Sequence, residues 1–221
     1  MILSHTHRFI YLKTRKTAGT SVEDALMAHL GVSLERNKAT VTDTVIVGAR
    51  GSLARAQGWY NHMPWDDVAA RAPDAWRDYF KFCCVRNPWD KVVSYFHHKN
   101  RHLKFASLEE TVANFRRYMR QDRLYVGRDT EIYFDGDRPV VDHVLRHSHI
   151  QADFDAVCAR FGFPPMPLPS LKSTSRDQDN RIPYQNYYNK FSKDLVADMF
   201  ATEIHHYGWD FDTGLSPRLA D

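Results

Sequence analysis

The chain has 221 residues, of which 43% are hydrophobic and 26% are charged, and its formal net charge is +3. This composition predicts one globular domain over residues 1–221 and excludes a disordered or repetitive chain. The net charge is too small to indicate nucleic acid or a membrane surface as a partner, and no apolar run approaches the ~20 residues of a membrane span. Because the first residues lack a signal peptide's apolar stretch and the three cysteines form no disulfide framework, we expect a cytoplasmic protein.

The first predicted unit is a strand, a loop and a helix. Residues 9–12 are an apolar run with branched and aromatic side chains, which is typical of a buried strand. Small and polar residues follow from 13 to 19, and residues 20–23, Thr-Ser-Val-Glu, then have the pattern of a capping box. This pattern predicts a helix that begins at Thr20 and ends near Gly31.

The same order occurs a second time. A strand at 44–48 and a mainly helical stretch at 52–79, with two prolines as breakers, come first. The apolar run 80–85 then predicts another buried strand. Asn87 favours the N-cap of the helix that follows, and Pro88 favours its first position.

Strands that alternate with helices predict an α/β fold with a mainly parallel central sheet flanked by helices. Ligands bind such sheets at the carboxyl ends of the strands. We expect residues 213–221 to form a flexible tail. The other predicted elements are helices at 107–120, 152–161 and 192–207, a hairpin around 135–136 that leads into a strand at 140–145, and a long loop at 166–190.

The loop after the first strand has the composition of an anion-binding site. Its small residues let backbone amide groups approach an anion, Lys16 and neighbouring hydroxyl groups supply further donors, and the helix that follows adds its dipole. It is not a Walker A motif, because Lys16 precedes Gly19 instead of following a second glycine. Taken alone this signal is weak, and an ordinary turn also explains it.

A second candidate site follows the strand at 80–85. Arg86 comes directly after that strand, where a buried guanidinium requires an anion or a cleft. Ser94 lies two turns into the next helix, on the side shared with Asn87 and Asp90. An arginine and a serine on one side of a helix start suit a bound phosphate.

The two loops resemble the donor-binding motifs of sulfotransferases that use 3′-phosphoadenosine 5′-phosphosulfate (PAPS). Residues 16–21, Lys-Thr-Ala-Gly-Thr-Ser, are similar to the 5′-phosphosulfate loop, and residues 86–95 are similar to the 3′-phosphate motif. The resemblance is closer to the carbohydrate-type branch and covers nearly the whole chain. Three positions depart from the pattern: Ala18 stands where a glycine is common, Arg15 where a proline is frequent, and Ser148 where relatives often carry an acidic residue.

The resemblance implies a P-loop-like sulfotransferase architecture and transfer of a sulfuryl group from PAPS to an acceptor hydroxyl of a saccharide or glycoconjugate. It implies that Lys16 stabilises charge on the departing phosphate, and that Arg86 and Ser94 bind the 3′-phosphate, which distinguishes PAPS from ATP-like nucleotides. The other implied donor-binding residues are Arg15, Thr17, Ala18, Gly19, Thr20 and Ser21 in the first loop, and Lys172 and Ser175 in a late loop.

His62 is the candidate base among the twelve histidines. Its position resembles that of the family's catalytic histidine, and imidazole suits base catalysis near neutral pH. Activity is then expected to rise with pH through an apparent pKa near ~6.5. The alternative is a structural or solvated histidine. The paired histidines elsewhere lack the ligand spacing of a metal site, so we expect no metal.

Three other functions remain open at the level of sequence. A kinase of the P-loop class is disfavoured by the order of lysine and glycine and by the lack of a clear aspartate for Mg²⁺. A non-catalytic nucleotide-binding module would keep both loops but transfer nothing. Sulfation of a small phenol, alcohol or natural product would use the same donor site, because one fold serves many acceptors.

Overall fold

The computed structural model describes residues 1–35, 37–51, 53–121, 126–169 and 182–219. The chain forms two compact units, the first from Met1–Val85 and Asp129–Leu171, the second from Arg86–Arg128 and Lys172–Asp221. Each unit has a hydrophobic core of its own. A single domain over 1–221 stays a prediction.

A six-stranded sheet forms the centre of the first unit. Its strands are β1 (Ile2–Ser4), β2 (Phe9–Leu12), β3 (Thr40–Val41), β4 (Val45–Val47), β5 (Phe80–Val85) and β8 (His143–Arg146), in the order β3-β4-β1-β2-β5-β8. Strand β2 pairs in parallel with β5, and β5 with β8, whereas the other three pairs are antiparallel. The predicted hairpin is present as β6 (Phe134–Asp135) and β7 (Arg138–Pro139).

The predicted α/β fold is confirmed, but the sheet is mixed instead of mainly parallel. The difference comes from β1 and β3, which the sequence pattern missed because strands of two or three residues carry no measurable periodicity. Both add antiparallel pairs on one side of β2. The parallel part of the sheet, β2-β5-β8, contains the two strands after which the candidate loops begin.

Strand β2 is buried on both faces, which explains its continuous apolar sequence. Phe9 and Tyr11 lie on one face and Ile10 and Leu12 on the other, and none of the four is exposed to solvent. The face of Phe9 and Tyr11 belongs to a core to which helices α1 (Gly19–His29) and α7 (Ile150–Arg160) also contribute.

The predicted capping box of α1 is wrong. Ala18 occupies the N-cap position and has no side-chain oxygen with which to cap the helix. Glu23, which the pattern predicted would bond back to the helix start, is fully buried and binds the Lys13 ammonium at 2.6 Å. A buried cation requires a buried anion, and this requirement outweighs a cap of about 1 kcal/mol.

Three more helices belong to the first unit. They are α2 (Trp65–Arg71), α3 (Pro73–Asp78) and α6 (Thr130–Tyr133), and a short 3-10 turn spans Ala54–Gln57. The helical prediction for 52–79 is thus confirmed in outline. The two prolines predicted as breakers stand at helix starts: Pro64 is the N-cap of α2, and Pro73 is the first residue of α3.

The second unit is built from helices α4 (Pro88–Lys99), α5 (Leu108–Tyr118), α8 (Lys190–Met199) and α9 (Ala201–Tyr207). Asn87 caps α4 and Pro88 is its first residue, as predicted. The helix predicted at 192–207 is divided in two at Phe200, which is buried in the core of this unit. None of the helices in the described ranges is both long and apolar enough to cross a membrane.

Candidate functional site

The loop after β2 lies at the carboxyl end of the parallel strands. β2 and β5 are neighbours, with Leu12 opposite Cys83. Thr14 Oγ1 donates a hydrogen bond to the Cys84 carbonyl oxygen at 2.5 Å and lies 2.8 Å from Thr17 Oγ1, from which it accepts. The hydroxyl of the buried Thr17 therefore helps to hold the loop in shape.

Left-handed backbone conformations are concentrated at the candidate site. Within the described ranges five residues other than glycine have positive φ, and Lys16 (φ 59°), Ala18 (φ 63°) and His62 (φ 57°) are three of them. Such conformations cost non-glycine residues about 1–2 kcal/mol and are often found at functional sites. Ala18 thus stands where the resemblance expects a glycine and where glycine would be unstrained.

We expect Ala18→Gly to stabilise the protein by about 0.5–1 kcal/mol, because glycine adopts positive φ freely and is a better N-cap than alanine. Urea unfolding of the variant and the wild-type protein measures this difference. Ala28→Gly is the matched control, since Ala28 is exposed in the same helix. It is expected to lose about 0.5–1 kcal/mol. Equal destabilisation of both variants would contradict the strain at Ala18.

Buried carboxylates neutralise two of the loop's cations. Lys13 Nζ lies 2.6 Å from Glu23 Oε2, and Arg15 Nη1 lies 2.9 Å from Asp129 Oδ1, with neither carboxylate exposed to solvent. The Arg15 amide also donates to Asp129 at 2.9 Å. Arg15 is thus anchored through both its backbone and its side chain, which gives it a structural role in addition to the predicted contact with the donor.

His62 reaches the loop through a close contact between two backbone segments. Residues 59–61 run alongside Ala49. The Ala49 amide donates to the Trp59 carbonyl oxygen at 2.9 Å, and the Asn61 amide donates to the Ala49 carbonyl oxygen at 2.8 Å. Gly48 permits this approach, because a Cβ at that position would lie 2.7 Å from the Tyr60 backbone. The position of His62 therefore depends on a backbone contact that no local sequence pattern reveals.

A hydrogen bond fixes the tautomer of His62. Its Nδ1 lies 2.9 Å from the carbonyl oxygen of Lys13. A carbonyl oxygen can only accept, so Nδ1 carries the proton and Nε2 carries the lone pair of the neutral ring. This is the arrangement that a general base requires.

The pKa of His62 differs strongly from the expected value. Burial lowers it to about 3, and the charges of Lys13 and Arg15 act in the same direction. The ring is therefore neutral throughout the physiological range. This pKa lies far below the ~6.5 of an unperturbed histidine. Its causes, burial and the charges of Lys13 and Arg15, arise only in the folded chain and cannot be seen in the sequence.

The second motif lies in the second unit, at the start of α4. Arg86 Nε bonds to Asp90 Oδ2 at 2.7 Å, and Ser94 is partly buried one turn beyond Asp90. Asn87 Oδ1 accepts hydrogen bonds from the amides of Trp89 and Asp90, at 3.0 and 3.3 Å. Asn87 therefore already occupies these two amide donors at the start of α4.

Three further expectations concern the late loop with Lys172 and Ser175, the departure at Ser148, and metal binding. Lys172 and Ser175 lie outside the described residues. The absence of an acidic residue at Ser148 leaves no gap in local ion pairing, because Arg146 Nη2 bonds to Asp153 Oδ1 at 2.7 Å. Within the described ranges, no group of three or more histidine, cysteine or acidic side chains is arranged to bind a metal ion.

Two carboxylates that bind cations of the loop after β2, Glu23 and Asp129, escaped the sequence analysis. Glu23 appeared to belong to a cap, and Asp129 stood in no recognised motif. The useful signal is indirect: Lys13 directly follows a buried strand, so its ammonium group needs a buried anion from elsewhere in the chain.

Comparison with known proteins identifies the family of the chain. The sequence model of the sulfotransferase family matches residues 1–136, more than half of the 221 residues. The matched part includes the loop after β2, the motif at the start of α4 and His62. No curated protein and no solved structure matches the chain. The length of the family match decides the assignment: the chain belongs to the sulfotransferase family, and its general chemistry is that of a transferase.

Proposed function

We propose that the protein transfers the sulfuryl group of PAPS to a hydroxyl group of a saccharide. The observation that carries this proposal is the arrangement around the loop after β2. Lys16 and the uncapped amino end of α1 offer donors to an anion, and His62, fixed to the same loop, presents a neutral Nε2. An anion site beside an oriented base is what transfer of an anionic group to a hydroxyl requires.

The amino end of α1 fits the phosphosulfate end of PAPS. Ala18 provides no side-chain acceptor for the first-turn amide groups, and the amides of Ser21 and Val22 bond back to the Ala18 carbonyl oxygen. The amides of Gly19 and Thr20 thus precede the first intrahelical bonds and point toward the helix end. Together with Lys16 and the Thr20 hydroxyl, they form the donor set proposed for the 5′-phosphate and the sulfate.

In the proposed reaction, the acceptor oxygen attacks sulfur while the bond from sulfur to the bridging phosphate oxygen breaks. The electron pair of that bond remains on the departing phosphate, and Lys16 stabilises the charge that develops there. The proton of the acceptor hydroxyl passes to Nε2 of His62. The 5′-phosphate and the sulfate of the donor are both negatively charged. They would partly offset the charges of Lys13 and Arg15 and so raise the pKa of His62 above its value in the free protein.

Aromatic side chains near His62 support a sugar as the acceptor. Trp59 lies three residues before His62, and Trp65 three residues after it, and both are partly exposed. Trp65 also contacts the Trp76 ring, with 5.8 Å between centroids. Partly exposed tryptophans provide the flat apolar surface on which a sugar ring stacks. Tyr133, in contrast, is only 1% exposed and belongs to the core.

We assign the 3′-phosphate to Arg86 and Ser94, and therefore expect 3′-phosphoadenosine 5′-phosphate to bind at least tenfold more tightly than AMP. A charge-assisted contact of this kind contributes about 1.5–3 kcal/mol. Calorimetry with both nucleotides measures the difference. In Arg86→Ala the preference is expected to disappear, whereas it should persist in Arg117→Ala, a change at an exposed arginine of the same unit. Equal affinity for the two nucleotides in the wild-type protein would remove the PAPS assignment.

Transfer of labelled sulfate from PAPS to sugars, phenols and alcohols then tests the acceptor. Sulfation of sugars alone supports the proposal. Sulfation of small phenols or alcohols alone would make the protein a small-molecule sulfotransferase. Tight nucleotide binding without transfer to any of these hydroxyls would indicate a binding module.

A further inference from the structure

Glu23 is the centre of a buried ionic cluster in the first unit. Its side chain is not exposed to solvent, and its carboxylate contacts the Lys13 ammonium, the Arg50 guanidinium and the Met1 amine. The distances are 2.6 Å from Lys13 Nζ to Oε2 and 2.7 Å from Arg50 Nε to the same oxygen. Burial alone would raise the pKa of Glu23, but these cations outweigh it and lower the pKa to about 2.

The first connection from this cluster to His62 runs through Lys13. The side chain of Lys13 ends on Glu23, and its carbonyl oxygen accepts the hydrogen bond from Nδ1 of His62. Lys13 is itself buried, and its stem passes so close to Gly19 that a Cβ there would lie 3.1 Å from Lys13 Cγ. Glu23 therefore fixes the position of Lys13, whose carbonyl oxygen fixes the imidazole of His62.

The second connection runs through Arg50. Arg50 directly follows Ala49. The backbone of Ala49 bonds to the residues on both sides of Tyr60, and these bonds position the segment that leads to His62. The guanidinium of Arg50 is bound to Glu23 and, at 2.5 Å, to Asp24. Two groups that position the imidazole are thus anchored on the Glu23 carboxylate. The first is Lys13, whose carbonyl oxygen accepts from Nδ1, and the second is the backbone segment next to Arg50.

We propose that Glu23 is a positioning residue for His62, which acts through Lys13 and Arg50 to keep the imidazole in the tautomer with the proton on Nδ1. The inference rests on the proposed role of His62 as the base in sulfuryl transfer. A ring that loses its acceptor reverts to the tautomer that neutral imidazole favours in water, with the proton on Nε2. In that state Nε2 has no lone pair for the acceptor proton, and turnover falls although the donor still binds.

Nitrogen-15 spectra of the imidazole provide the first test, because they distinguish the two neutral tautomers and need neither donor nor acceptor. The His62 signals are identified by their loss in His62→Asn. We expect the wild-type protein to show the proton on Nδ1 and Glu23→Gln to show a mixture with Nε2–H. Asp24→Asn is the matched control, since it removes the neighbouring carboxylate from Arg50 and leaves Lys13 paired. An unchanged tautomer in folded Glu23→Gln overturns the proposal, whether or not the protein transfers sulfate.

Kinetics provide the second test. Glu23→Gln is expected to lower kcat by about 10–100-fold, the scale for a group that orients a functional histidine, with little change in the affinity for 3′-phosphoadenosine 5′-phosphate. In a protein that already carries His62→Asn, the same change should have little further effect on kcat. An equal loss in both backgrounds would show that Glu23 acts on the fold in general and would overturn the proposal.

Removal of the buried carboxylate leaves several cations without their partner, so a second variant covers the case in which Glu23→Gln does not fold. Arg50→Gln breaks one connection and leaves the pair of Lys13 and Glu23 intact. It is expected to shift the tautomer in the same direction, by a smaller fraction. A folded Arg50→Gln protein with the wild-type tautomer and wild-type kcat would overturn the proposed path through Arg50 and, with it, the double anchoring.

Discussion

Lys16→Ala is expected to lower turnover by about 10²–10³ and to change the affinity for 3′-phosphoadenosine 5′-phosphate far less. The reason is that Lys16 is proposed to act on charge that develops only as the bond from sulfur to the bridging oxygen breaks, so its contribution belongs to the transition state. Alanine keeps a Cβ, so the left-handed backbone at this position, φ 59°, stays equally strained and the loop is not relaxed by the change. Single-turnover rates and nucleotide affinity, measured on the same protein, separate the two effects.

Lys38→Ala is the control for loss of one positive charge in the same unit. Lys38 is 64% exposed and pairs with the exposed Glu35, so its removal should leave turnover unchanged. A different result for Lys16→Ala, in which only the Michaelis constant for PAPS rises, would make Lys16 a tether for the donor and would leave the departing phosphate without an assigned partner.

Replacement of His62 by asparagine is expected to lower turnover by about 10²–10⁴, the usual contribution of a positioned base. Asparagine is the most informative substitution here. Its amide nitrogen can replace Nδ1 as donor to the Lys13 carbonyl oxygen, and asparagine tolerates the positive φ of this position better than most residues. The variant thus keeps the local structure and loses only the group that accepts a proton.

Three measurements on His62→Asn distinguish a base from a structural histidine: thermal midpoint, nucleotide affinity and turnover. A base predicts normal values for the first two and a large loss in the third. A structural residue predicts the opposite pattern, with lower stability and near-normal turnover of the folded protein. His149→Asn, at an exposed histidine of the same unit, controls for the loss of an imidazole.

The pKa of His62 gives this prediction a pH dependence. Since burial and the nearby cations lower the pKa to about 3, the imidazole of the free protein is expected to stay neutral from pH 8 down to pH 5. Its nitrogen-15 signals should therefore not titrate near the ~6.5 of an unperturbed histidine. Addition of 3′-phosphoadenosine 5′-phosphate brings negative charge toward Lys13 and Arg15 and should raise the pKa. Titration near pH 6.5 in the free protein would show that the ring is not enclosed.

Those parts of the protein that depend on interactions within a few residues can be predicted from the sequence. A strand buried on both faces requires a continuous apolar run, so β2 and β5 were predicted at their observed positions. The Asn87 cap and the first-position Pro88 involve only residues within one helical turn, and both were found as predicted. The two candidate anion-binding motifs follow these strands directly, which is why the sequence alone is enough to recognise them.

The contacts that hold the candidate site together join residues far apart in the sequence and cannot be predicted from it. Glu23 had the spacing of a capping residue, but its partners Lys13 and Arg50 stand 10 and 27 positions away, and the buried ion pairs prevailed over the local cap. The segment before His62 is placed by backbone bonds to Ala49, which requires two stretches of chain to pack together. The low pKa of His62 likewise reflects burial and charges that converge only in the folded protein. The sequence therefore predicts which residues would carry out the proposed chemistry, whereas long-range packing sets the orientation and the charge state of His62.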